Sequence, residues 1–475
     1  MKIGIVTSEA VPFVKSGGLA DIAGTLFNVY HTEENEIYLF MPMYKTIKNI
    51  PSGLKIEENI AIQIGSQEIE GQILSKEIEK GKTLVLIKQD RYFGRNSLYG
   101  TKQGDYPDNA ERFGYFSLAV LKAIDIMGIN IDILHLNDWQ TGLIPLFIKD
   151  KRLNIKTLFT IHNLGYQGNF PQGILDLLHI DRKYFSPAKI EFYNSVSFLK
   201  SGIVYSDFIS TVSPTYAKEI RTKKYGVGME EILNTRKNFL IGILNGIDYS
   251  LWNPETDQLI YKNYSINTVK DKEENKIKLG EEFNFDVKGK PLYGLVGRLA
   301  EQKGIDILVD ALNSILNENI RVIILGTGEK ALEDALVELQ KQHHNKLKAL
   351  IKFDEATAHK IYAASDFFMM PSQYEPCGLG QLISLKYGTL PIVRETGGLK
   401  DTVDDYNEYT HCGNGISFSE YCSDDFLGAM QRAKKIYSNE KLYKQLQQNA
   451  MQCDFSWKKS ADIYMKLFKQ ILQGK

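Results

Sequence analysis

The sequence predicts an α/β protein made of two Rossmann-like, doubly wound domains facing a central cleft. Three observations carry that prediction. The chain has 475 residues, more than one hydrophobic core usually serves. Short apolar runs alternate with helical patterns, and the alternation stops once and then restarts. Glycine-bearing or polar loops follow the apolar runs, where doubly wound sheets hold their ligands.

The first half opens with an apolar run at residues 3–7, a loop containing Ser16-Gly17-Gly18, and a helical pattern through Asp21, Ile22, Leu26 and Tyr30. Further buried-strand patterns lie at 37–41, 84–88, 133–136, 157–160 and 208–212, with helical patterns at 110–127 and 214–221. The alternation predicts a parallel sheet.

Between 250 and 290 the chain turns polar and charged, punctuated by Pro254 and Pro291, with a surface helix expected at 271–278. The first domain therefore ends near residue 245, and a second runs over 246–455. In it the spacing predicts strands at 292–296, 322–325, 349–353, 367–370 and 391–393, and helices at 305–316, 331–342, 357–364 and 379–387.

Composition excludes several functions. Hydrophobic residues make up 43% and charged residues 24%, values ordinary for a soluble globular protein, and no apolar run is long enough to span a membrane. The apolar part of the opening segment is too short for a signal peptide, so a cytoplasmic location is expected. A net charge of −1 gives no reason to expect a nucleic-acid or membrane partner, and a neutral polymer is compatible with it. Four cysteines without a paired spacing predict reduced thiols and no metal site.

Four constellations carry chemistry. Gly17 and Gly18 open a helix beside Lys15, where backbone N–H groups can meet an anion; a tight turn needing positive φ would equally account for the two glycines. Arg298 and Lys303 follow the strand at 292–296, where a diphosphate commonly sits. Arg298 can fork two oxygens while Lys303 acts as a point charge. Glu375, Gly378 and Leu379 lie between a strand and a helix, and the Glu375 carboxylate can accept bonds from sugar hydroxyls or support positive charge. Cys377 beside it has no neighbouring His or Asp pattern to activate a thiol. Asp138, His162 and Asn163 follow the strands at 133–136 and 157–160 and are candidates for contacts to sugar or for proton handling. Aromatic residues crowd 91–116, among them Tyr92, Phe93, Tyr99 and Tyr106, and flat rings suit the faces of glucosyl units. Tyr115 and Phe116 read as core. The phrase Lys15-Ser-Gly-Gly-Leu-Ala-Asp21 is echoed by Glu395-Thr-Gly-Gly-Leu-Lys-Asp401.

Taken with Thr160-Ile-His-Asn-Leu-Gly-Tyr-Gln-Gly168, Leu244-Asn-Gly-Ile-Asp248 and Asp454-Phe-Ser-Trp457, these motifs resemble the bacterial glycogen synthase and plant starch synthase family along nearly the whole chain. The resemblance implies a GT-B fold, with a C-terminal helix (domain segment 456–475) returning to the first domain. It also implies a metal-independent, cofactor-free, retaining transfer of glucose from ADP-glucose to glycogen or another α-1,4-glucan. By the same resemblance Lys15, Gly17, Gly18, Asp21 and Tyr99 approach the donor or its glucose, and Asp138, His162 and Asn163 line that glucose. Arg298 and Lys303 hold the diphosphate, and Glu375 with Gly378 and Leu379 positions the sugar.

Ser16 and Gly380 each stand where the family commonly carries threonine, and Ile383 stands where related transferases with a Glu-x7-Glu motif carry a second acid. A UDP-glucose-dependent glucosyltransferase and a catalytically silent glucan-binding protein are the alternative readings. The sequence leaves the oligomeric state open.

Overall fold

Parallel pairing of apolar runs organises both halves of the chain. The computed structural model describes residues 1–101 and 103–474. It divides into one unit of 1–212, 217–243 and the chain from 458 onward, and a second of 213–216 and 244–457.

The first unit carries a nine-stranded sheet. Its order is Leu240–Gly242, Phe208–Thr211, Lys156–Ile161, Ile133–Asn137, Lys2–Val6, Glu36–Pro42, Lys82–Lys88, Gln67–Glu79 and Lys55–Ile64. The first seven pair in parallel, with Val6 in register with both Phe40 and Leu136. Ile3, Ile5, Val6, Leu39, Leu134 and Leu136 are fully buried, as strands covered on both faces require.

The last two strands are antiparallel and were not among those the apolar runs predicted. Their burial alternates: Ile60, Ile62 and Ile64 are buried while Ala61 and Gln63 are exposed. A strand with one wet face reads as alternation rather than as a run.

The second unit carries six parallel strands in the order Leu347–Leu350, Arg321–Leu325, Leu292–Val296, Phe367–Met370, Leu390–Arg394 and Ile416–Phe418. Numbered along this unit the order is 3-2-1-4-5-6, that of a doubly wound Rossmann sheet.

Two expectations are corrected. The strand expected at 349–353 ends at Leu350, and Phe353 is 86% exposed. The chain leaves the sheet because Asp354 caps the helix Glu355–Ala364, accepting from the Thr357 N–H at 3.1 Å. The helix expected on the surface at 271–278 is Lys272–Glu282, and two of its lysines, Lys272 and Lys276, are buried. Lys276 Nζ lies 2.8 Å from the Asp366 carboxylate, which also accepts from the Leu292 N–H and the Tyr443 hydroxyl. Lys272 donates to the carbonyls of Tyr362 and Ala363 and to Thr389 Oγ1, and burial pulls its ammonium down to about 7.

The C-terminal helix Trp457–Leu472 packs Tyr464 and Phe468 on Tyr30 of the first unit, at ring separations of 5.8 and 5.4 Å. All four cysteines are free thiols. No helix among the described residues is long and apolar enough to cross a membrane.

The Lys276–Asp366 pair carries a stability test. Asp366→Ala strands a buried ammonium and should cost about 3–5 kcal/mol, read as a lower thermal midpoint. An unchanged midpoint would mean that the pair is not buried as described.

Candidate active site

In each unit the winding of the sheet reverses between two adjacent strands, and the candidate residues follow those strands. In the first unit the reversal lies between Lys2–Val6 and Ile133–Asn137; in the second it lies between Leu292–Val296 and Phe367–Met370. A crevice opens at the carboxyl ends of such strand pairs.

The loop after the first strand is organised by Glu9, a residue the sequence reading passed over. Its buried carboxylate accepts from the backbone N–H of Ser16, from the Ser16 hydroxyl at 3.0 Å, from the Gly17 N–H at 3.3 Å and from the Tyr99 hydroxyl at 3.2 Å. Burial pushes the Glu9 carboxyl up, while these hydrogen bonds favour the charged form. Tyr99 Oη also lies 2.7 Å from Ser8 Oγ. Lys15 and Asp21, both partly exposed, form an ion pair at 2.7 Å across the start of the helix Gly18–Val29.

Neither Gly17 nor Gly18 has positive φ, so the tight-turn explanation of this pair fails. A Cβ at Gly17 would come no closer than 4.0 Å to another residue, and one at Gly18 would meet nothing within that distance. The echoing pair behaves otherwise. A Cβ at Gly397 would overlap the carbonyl oxygen of Glu375, and one at Gly398 the backbone of Cys377. The second pair is a packing device, whereas the first leaves open space beside backbone N–H groups.

Asp138 follows Ile133–Asn137 with φ 56°, an uncommon conformation for a residue with a side chain. Its carboxylate accepts from the backbone N–H of His162 at 2.8 Å and from that of Asn163. Burial pushes its carboxyl up to about 7, helped by the nearby charge of Glu9 and opposed by the two N–H groups. Asn163 turns its own Oδ1 back to the Gly165 N–H at 2.9 Å.

The protonation of His162 follows from Asn137. The Asn137 amide donates to the carbonyls of Val6 and His135 at 3.0 and 3.3 Å, so its Oδ1 must accept from His162 Nε2 at 2.9 Å. Nδ1 then carries a lone pair, is buried and has no partner in the protein. Burial lowers the imidazole to about 3, which keeps it neutral.

In the second unit Lys303 Nζ lies 2.5 Å from Glu375 Oε2, which also accepts from Ser372 Oγ at 3.1 Å. Glu375 is 5% exposed, whereas Arg298 is exposed and donates to Gln302 Oε1 at 2.8 Å. Lys303 therefore neutralises Glu375, and Arg298 supplies the outward charge. The Glu375 loop is fastened by Arg394, which donates to the carbonyls of Ser372 (2.9 Å) and Gln373, and by the Gln373 N–H bound to the Gln302 carbonyl at 2.9 Å. Gly378 has φ 75°, and Leu379 immediately precedes the helix Gly380–Lys386. Burial pushes the Cys377 thiol up to about 12 and keeps it protonated.

Of the aromatic stretch at 91–116, Tyr92 and Phe93 are fully buried with Tyr115 and Phe116, and their rings pack in the core rather than facing a ligand. Tyr99 is half-buried, and Tyr106 lies under the Arg95 guanidinium at 4.6 Å. Signals for the overlooked residues were present: Glu9 is an acid just past the first strand, and Arg394 is a cation closing an apolar one.

A family model described as starch synthase catalytic domain matches residues 2–235, and one described as glycosyl transferases group 1 matches 280–452. A glycogen synthase of Thermosipho africanus is 44% identical, covering 99% of both chains. One from Thermodesulfovibrio yellowstonii is 42% identical, covering 99% of this chain and 98% of its own. Among solved structures, the catalytic domain of starch synthase IV from Arabidopsis thaliana bound to ADP and acarbose matches with TM-score 0.90 and 31% identity over 99% of each chain. Sucrose-phosphate synthase from Thermosynechococcus elongatus, 17% identical with TM-score 0.64 over both full chains, shares the fold.

Two outcomes test this geometry. Gly18→Ala should leave stability unchanged or raise it by up to about 1 kcal/mol, while Gly398→Ala should lower it by about 1–3 kcal/mol, as read by denaturant titration. Equal effects would refute the contrast between the two glycine pairs. The second concerns Asp138. Between the unfolded carboxyl value of about 4 and the folded value of about 7 the folded state holds the extra proton, so stability falls as pH rises through that window. Asp138→Asn removes this term. Its thermal midpoint should gain on that of the native protein between pH 4 and pH 8, by on the order of 4 kcal/mol of relative stability, and parallel pH profiles would refute the assignment.

Proposed function

The chain belongs to the family of bacterial glycogen synthases and plant starch synthases, and from that premise we propose that it transfers glucose, with retention, from ADP-glucose to the non-reducing end of an α-1,4-glucan. The observation that carries the reading is the full-length likeness to a starch synthase that holds ADP and acarbose. ADP is the leaving group of such a donor, and acarbose is an oligosaccharide analogue.

The exposed Arg298 guanidinium takes the donor diphosphate in a fork, and Lys303, drawn partly from Glu375, adds a second positive charge. These charges stabilise the departing phosphate without a metal ion. Glu375, held by Lys303 and Ser372, accepts from hydroxyls of the transferred glucose, with the Gly378–Leu379 backbone beside it. His162, neutral and only partly buried as a residue, lines the transferred glucose, and Asp138 holds the backbone that presents its ring. The loop fastened by Glu9 brings Lys15, Ser16, Gly17 and Gly18 to the donor, and the space beside the two glycines admits it.

Retention follows a same-face route. The C1–O bond to phosphate breaks as the acceptor 4-hydroxyl oxygen bonds to C1 on the same face, and the proton of that hydroxyl passes to the leaving phosphate oxygen. No covalent enzyme intermediate is invoked: burial keeps the Cys377 thiol protonated.

Nucleoside diphosphate release and glucan elongation should depend on a glycogen primer with ADP-glucose as donor. Arg298→Ala should lower kcat/KM by about 10²–10³. Turnover with UDP-glucose alone would overturn the donor, and glycogen binding without turnover on either donor would overturn the enzymatic reading.

A further inference from the structure

Among the described residues, Tyr193 and Val227 are the two bulky apolar side chains that combine a left-handed backbone with high exposure. Their φ values are 47° and 48°, and they are 77% and 55% exposed. L-residues avoid this region, and a β-branched valine avoids it strongly. Burial compensates neither residue.

The two lie together. Tyr193 and Asn194, with φ 47° and 62°, form the two-residue turn between the antiparallel strands Glu191–Phe192 and Ser195–Ser197. Such a turn is relaxed with Asn-Gly, yet tyrosine leads it here. The Asn194 N–H donates to the Glu191 carboxylate at 2.8 Å, and Phe192 meets the Tyr193 ring edge to face at 4.6 Å, so the exposed ring is held in place. Gly228 packs against this tip: a Cβ there would stand 2.9 Å from the Phe192 ring and 3.2 Å from the Tyr193 ring. Val227 is its neighbour in sequence.

The patch is tied to the loop that carries His162 and Asn163. The Val227 carbonyl accepts from Gln167 Nε2 at 3.0 Å, and Gln167 belongs to the loop that begins at His162 and Asn163. Tyr166, 52% exposed, stands on the same loop. Exposed aromatic rings set among amides, such as Asn194 whose carbonyl accepts from Gln172 Nε2, suit the C–H faces and hydroxyls of sugars better than they suit an apolar protein surface.

We propose that Tyr193, Val227 and Tyr166 form a platform on which the incoming α-1,4-glucan chain lies, several glucosyl units back from its reacting end. The platform rests on the reading that this chain extends such a glucan. It explains why two strained residues are kept at exposed positions where glycine would be relaxed: the ring and the isopropyl group are needed outside.

Calorimetric titration with maltoheptaose, without donor, tests the platform directly on the full chain. Tyr193→Ala should weaken binding about 3- to 10-fold, the worth of one aromatic contact, and raise the KM for glycogen in step, while the KM for ADP-glucose holds. Tyr193→Trp should retain the affinity. Tyr193→Gly is the decisive variant, because it relaxes the turn and removes the ring. Its thermal midpoint should equal or exceed that of the native protein while maltoheptaose binding falls as in Tyr193→Ala. Maltoheptaose affinity within twofold of native in both the alanine and glycine variants overturns the platform, as does a native protein that does not bind maltoheptaose. A native protein that binds maltoheptaose through Tyr193 but elongates nothing would sustain the platform and sink the synthase reading.

Discussion

The carbonyl oxygen of Glu375 and the backbone of Cys377 lie so close to Gly397 and Gly398 that a single methyl group at either glycine would overlap them. Arg394 closes the same loop from the adjoining strand, holding the carbonyls of Ser372 and Gln373. Buried, charged and bound by Lys303 and Ser372, Glu375 has little freedom of its own. Its place is set by backbone against backbone, and the chemistry assigned to this unit depends on that contact. A carboxylate proposed to meet sugar hydroxyls gains from such rigidity, since little reorganisation remains when a ligand arrives.

The first unit solves the corresponding problem differently. Its Gly17-Gly18 pair has open space where side chains would stand, and the loop is drawn into shape by one buried carboxylate, Glu9, gathering N–H and O–H donors from Ser16, Gly17 and Tyr99. Asp138 works in the same way on His162 and Asn163. Burial raises the proton affinity of both acids, the charge of Glu9 adds to it at Asp138, and the backbone N–H groups around them pull in the opposite direction. His162 is left neutral with an unsatisfied Nδ1, a polar atom that a folded chain seldom leaves unpaired without a use.

Most of the parallel strands were legible in the sequence because a strand covered on both faces must be apolar at every position; Leu240–Gly242 and Ile416–Phe418, parallel but only three residues long, were missed because so short a run gives no pattern. The runs at 292–296 and 367–370 coincide with the strands found. The antiparallel pair Lys55–Ile64 and Gln67–Glu79 was not legible as a run, because one face of each strand is wet. The helix Lys272–Glu282 misled for the converse reason: Lys272 and Lys276 look like surface charge until Asp366 and the carbonyls of Tyr362 and Ala363 are brought to them from about 90 residues away.

By itself the sequence determined the class of fold, the location of the candidate residues at the ends of strands, and the family, because periodicity and local motifs are properties of neighbours along the chain. Tertiary structure alone decided which glycine pair is packed and which is open, that Lys303 is spent on Glu375 while Arg298 faces outward, and which nitrogen of His162 bears the proton. Each of these depends on atoms distant in sequence, since electrostatic and steric environment is set by what folding brings within a few ångströms.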